Sequence, residues 1–134
     1  MFSLTNTDYP DPVPATYRIY YDLCVINEGD VPLTNAVLVD SWSPLRCVYL
    51  PPDNPSKVWW AIGTIAPHTQ YCVQLILNTY SVCAGSTVTN EAVLTCDQGS
   101  TRAVATTRIG PTPIPSVTST VTPTLTLTPT LAQY

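Results

Sequence analysis

Residues 16–27 read TYRIYYDLCVIN, and their alternation sets Tyr17, Ile19, Tyr21, Leu23 and Val25 on one side with Arg18, Tyr20, Asp22 and Cys24 on the other. A two-residue period rich in aromatic and β-branched side chains predicts a strand with one buried face. Residues 28–34, which hold Gly29 and Pro32, turn the chain into a second strand, AVLVDSW at 36–42. A short third strand is expected at 45–50, closed by Pro51, Pro52 and Pro55, which lack the N–H that a ladder needs. Strands at 57–65 and 70–79 bracket the turn Ala66-Pro67-His68, and in the second of them Tyr71, Val73, Leu75 and Leu77 share a face. Residues 88–96 and 101–109 predict a closing antiparallel pair across Asp97-Gln98-Gly99-Ser100. No segment keeps a helical period. About seven short strands in a hundred residues predict an all-β chain folded as an antiparallel β-sandwich.

The pattern changes after Arg108, beyond which no residue is charged. Residues 1–110 therefore read as the sandwich and 111–134 as a separate Thr/Pro-rich tail. Such a composition commonly marks a linker, free or O-glycosylated. Its order is stricter than a linker requires. The even positions from Ser116 to Thr130 are all Ser or Thr, and among the odd ones Val117, Val121, Pro123, Leu125, Leu127, Pro129 and Leu131 are apolar or proline. Odd Pro115, Pro123 and Pro129 remove donors from one edge and leave the even residues' edge intact. The expected form is an extended β-strand that pairs on one side, its odd residues forming a subunit interface. Sixteen residues at a strand's rise would span about 50 Å, against about 20 Å for an ordinary strand. The tail thus has the reach to complete its own sheet or a neighbour's, and head-to-tail donation yields a pilus-like homopolymer.

Composition narrows the chemistry. Charged residues make up 10% of 134 and the net charge is -4, which gives no basic surface for nucleic acid. No apolar run is long enough for membrane insertion, and residues 1–10 lack the basic start and apolar stretch of a signal peptide, so the export route is not legible. The 45% hydrophobic content, with eight Tyr and three Trp, is enough to form a packed core. Cys24, Cys47, Cys72, Cys83 and Cys96 form no Cys-x-x-Cys pair and have only His68 as company, which excludes the usual zinc and haem spacings. Their density suits disulfides in a secreted or cell-surface chain. A sandwich sets Cys24 beside Cys72 on the polar face of neighbouring strands and makes Cys47 with Cys83 the second candidate pair, leaving Cys96 free or intermolecular. No Asn-x-Ser/Thr acceptor with a permissive middle residue occurs.

Three stretches, TYRIYYDLCVINEGDVPLTNAVLVDSW, IGTIAPHTQYCVQLIL and VTNEAVLTC, resemble the signature stretches of an Ig-like repeat domain of unknown function, the eleventh-numbered type, found in bacterial and archaeal surface proteins. Its most specific parts here are the Asn27-x-Gly29 turn, the Val39-Asp40 step and Asn90-x-Ala92. The resemblance implies an immunoglobulin-like sandwich serving as a wall, adhesin or surface-fibre module. The chain departs from the pattern at Ser41-Trp42-Ser43-Pro44, where the family turns through a Leu-Pro-Gly-like step, and in its number of cysteines.

Site chemistry is sparse. His68 sits in a turn and no Gly-x-Ser-x-Gly elbow accompanies it, so no catalytic residue is assigned and an enzyme is not expected. The carboxylates Asp8, Asp11, Glu28 and Asp30 form no metal motif, and no cofactor is expected. Trp59 and Trp60, with Trp42, Tyr20, Tyr49 and Tyr80, raise the alternative of a sugar platform on a carbohydrate-binding or adhesin module, although neighbours on a strand face opposite ways. The first expectation is a structural subunit of an extracellular filament or surface layer, polymerised through its own tail.

Overall fold

The computed structural model describes residues 1–111; the tail residues expected to donate a strand lie outside the described residues. Eight strands form two antiparallel four-stranded sheets packed as a sandwich. The strands are β1 (Phe2–Tyr9), β2 (Arg18–Asn27), β3 (Leu33–Ser43), β4 (Val48–Tyr49), β5 (Lys57–Ile65), β6 (Thr69–Thr79), β7 (Thr87–Cys96) and β8 (Gly99–Arg108). One sheet runs β1-β2-β6-β4 and the other β5-β3-β7-β8, so β2 to β3 and β6 to β7 cross between sheets, as in a Greek key.

Alternation builds the core. Ile19, Tyr21, Leu23 and Val25 of β2, with Leu75 and Leu77 beside them on β6 of the same sheet, face Leu38 and Trp42 of β3 and Val88, Ala92 and Leu94 of β7, all buried. The alternate β2 residues Tyr20, Asp22, Cys24 and Ile26 point outward and are only partly covered. The β7–β8 hairpin is tighter than its sequence suggests: Cys96 pairs directly with Gly99, leaving Asp97 and Gln98 as the turn, and Gly99 takes a φ of 136° that other residues rarely adopt.

Three expectations are corrected. The third strand at 45–50 is mostly a 3-10 turn, Leu45–Cys47, and only Val48–Tyr49 pair with β6. Pro44 before it and Pro51 after it allow no longer ladder. An eighth strand also stands where the sequence signalled none. The polar FSLTNTDY of β1 lacks the apolar alternation used to find strands, yet it pairs with β2 along its whole length, from Phe2 with Asn27 to Tyr9 with Tyr20. In addition Tyr17 precedes β2 and is exposed rather than sharing its buried face.

Candidate functional site: an unfilled strand position

The two flanks of the sandwich are built differently. On one, β1 packs against β8 and the sheets are stitched together. Asn6 Nδ2 donates to Asn90 Oδ1 at 2.6 Å, and Asn90 Nδ2 donates to Asp40 Oδ1 at 2.5 Å. Thr107 Oγ1 donates to Asp8 Oδ2 at 2.6 Å, the Arg108 amide to Asp11 Oδ1 at 3.1 Å, and the Gly110 amide to the Val13 carbonyl at 2.6 Å. Val13 and Ile109, both wholly buried, close that flank by a parallel bridge.

The other flank is incomplete. With β1 over β8, the strand orders put β4 over β5. Yet β4 pairs only with Asn78 and Thr79, whereas β5 runs nine residues. The rest of β6, residues 69–77, has β2 on one side and no strand on the other among the described residues. Side chains report the gap. Val58, Trp60 and Ile62 of β5 point inward and pack on the core but stay only partly buried, as does Val73 of β6, and Tyr71 keeps 42% of its surface exposed. Leu75 and Leu77, lower on the same face, are buried. The sequence places these residues correctly on one face; it does not reveal that no strand among the described residues lies over the upper half.

Natural edge strands are protected by charge, proline or a bulge. Across TQYCVQLILNT, β6 has neither a charged residue nor a proline; β5 has one charge, Lys57 at its start, and a register irregularity near Gly63 opposite Ala36. The position is bounded below by β4 and the 50–56 loop, which carries the chain across to β5. That lower end is rigid: Cys47 is bonded to Cys83, the Tyr80 amide donates to the Cys47 carbonyl at 3.0 Å, and the Tyr49 and Tyr80 rings stack at 4.5 Å. A second disulfide, Cys24 to Cys72, lies across β2 and β6 on the outer face, with Cα atoms 4.1 Å apart. It braces the open-edged part of β6 against its one neighbour. Cys96 is unpaired and buried inside β7. Two disulfides fit an oxidising environment.

The remaining candidates are dispersed. Trp59 points outward with 65% of its surface exposed, Trp60 points inward, and Trp42 is in the core, so the three indoles form no common platform. Tyr20 and Tyr49 lie on the opposite sheet, Tyr20 stacked on Tyr9 at 5.5 Å. His68 is exposed in the β5–β6 turn and bonds Asp30 at 2.7 Å. Among the described residues no group of three or more His, Cys, Asp or Glu gathers to hold a metal. No helix there is long and apolar enough to cross a membrane.

Sequence reasoning also undervalued the buried polar set. Asp40 and Asn90 are fully buried and bonded to one another. Burial pushes the Asp40 carboxyl up to about 7 against the opposing pull of Asn90. Asn27 fixes the β2–β3 turn: its Nδ2 donates to the Val31 carbonyl at 2.9 Å and the Ile65 carbonyl at 3.1 Å, while its Oδ1 accepts from the Gly29 amide at 3.1 Å. The three short motifs singled out in the sequence thus supply the polar scaffold of the core. Comparison with protein-family models and with curated proteins finds no match for the chain.

Proposed function

We propose that this chain is a structural subunit of an extracellular filament or surface layer, in which an added β-strand completes the sandwich beside β6, and that residues 117–131 are the strand donated. The observation that carries the reading is the nine-residue stretch of β6 with no strand beyond it among the described residues, a position that lies over half-buried Trp60 and Ile62 of β5. An added strand gains main-chain hydrogen bonds and pockets for alternate side chains. The tail has the matching pattern: apolar odd residues for the core, hydroxylated even residues for the outer face that Gln70 and Gln74 share, and no charge to bury. Resemblance to surface-protein repeats and the disulfides agree with a secreted, cell-surface setting. The carbohydrate-binding alternative keeps one exposed indole, Trp59, and no platform.

The test is deletion of residues 117–134. The shortened chain is expected to fold with both disulfides intact and to form no filaments by electron microscopy, while the full chain polymerises. Filaments that form equally well without those residues would remove the proposal.

A further inference from the structure

We infer, resting on the reading above, that the strand beside β6 comes from a second copy of this chain, enters at the Thr69 end, runs parallel to β6 and stops against β4. Three placements carry this. First, the lower end of the position is occupied. Val48 and Tyr49 already pair with Thr79 and Asn78, and the Cys47–Cys83 bond and the Tyr49–Tyr80 stack hold that piece down. A strand threading upward from there would have to displace β4, whereas the Thr69 end carries only the three-residue turn to β5.

Second, the tail leaves from the wrong place to serve its own molecule. β8 ends beside the start of β7, where Thr87 pairs with Arg108, and Ile109 and Gly110 are held by Val13 and Ser86. That exit shares an end of the sandwich with Thr79 and lies on the sealed flank, the far side from β6's free edge. To enter its own site at Thr69, the chain would first have to climb the full length of β6, eleven residues or about 36 Å, and cross the sandwich. Only residues 112–116, about 16 Å when extended, precede the alternating stretch.

Third, exit at one end and entry at the other is the geometry of an open head-to-tail chain. The lower end of one subunit meets the Thr69 end of the next, and the contact does not close on itself. β4 then acts as a register stop: of residues 117–131 it lets nine, 117–125, pair along Thr69 to Leu77 of β6, and so fixes the spacing between subunits.

Pairwise cysteine cross-linking tests the direction and the partner together. In a Cys96→Ala background, one full-length population carries Gln70→Cys or Ile76→Cys on the outer face of β6, and a mass-tagged population carries Thr118→Cys or Thr124→Cys, each pair six residues apart. After mixed assembly and mild oxidation, peptide mapping should find the pairs 118–70 and 124–76 between populations, at least about tenfold above the crossed pairs, because a disulfide forms only across a Cα separation of about 4.4–6.8 Å. The reverse pattern, 118–76 and 124–70 between populations, overturns the direction of entry and leaves strand donation standing. Chains carrying both cysteines that link only within themselves overturn the second copy as partner. If no tail-to-β6 link forms in any combination although filaments are present, this inference falls together with the proposed function.

Discussion

At the residue scale, the molecule's polar interior matters as much as its apolar one. Asn27 holds the β2–β3 turn against the end of β5, and its removal leaves the buried Ile65 carbonyl without that donor. Asn27→Ala is therefore expected to lower unfolding free energy by about 2–4 kcal/mol, read from urea denaturation. Asp40 gives a pH dependence whose sign follows from its raised value. Between the ordinary 3.8 and about 7, the folded chain holds a proton that the unfolded chain has released. This contribution to stability is complete below about pH 4, falls as pH rises, and is gone above about pH 7. Asp40→Asn keeps an acceptor for Asn90 and removes the titration. Its denaturation midpoint should lose the decline between about pH 4 and pH 8 that the parent shows; a parallel decline in both proteins would reject the assignment. These residues were legible in the sequence as motif positions, but burial and partners were not, since Asp40 and Asn90 are fifty residues apart and meet only when β3 pairs with β7.

At the element scale, period-two alternation located most strands because one face of each had to be buried. It failed for β1, whose polar residues are held by pairing with β2 and by Asn6 and Asp8 reaching across to Asn90 and Thr107. It also overstated β4, where prolines on both sides left two paired residues. The open edge could not be read from sequence at all: a strand with a neighbour on each side and a strand with one carry the same alternation. The tail yields the sharpest prediction at this scale. If even residues make the ladder, Thr120→Pro removes a pairing donor and should raise the concentration needed for assembly about tenfold or more, while Val121→Pro, whose donor faces away, should cost less. Sedimentation of assembled material measures both, and equal effects would contradict the one-sided edge.

At the scale of the whole molecule, one flank of the sandwich is sealed and the other, among the described residues, leaves most of β6 with no strand beyond it, an asymmetry that the proposed assembly would resolve. The Cys24–Cys72 bond closes a loop of 48 residues in sequence across the strand that carries the open edge. Replacing both cysteines with Ala should cost about 4 kcal/mol of stability by chain entropy, measured against guanidinium, and should reduce assembly by loosening β6. The two disulfides could be anticipated because strand adjacency brought Cys24 and Cys72 level and left Cys47 and Cys83 at one end. What the sequence could not convey was the asymmetry between flanks, a property of strand order rather than of any one strand. Hydrogen exchange on assembled filaments tests the central claim most directly. Amides of the even residues 118–124 should be slowed at least about a hundredfold relative to the unassembled full chain, and those on the free edge of β6 between Thr69 and Leu77 by as much relative to the chain lacking residues 117–134. Tail amides that exchange in the filament at the rate of an unpaired chain would contradict it.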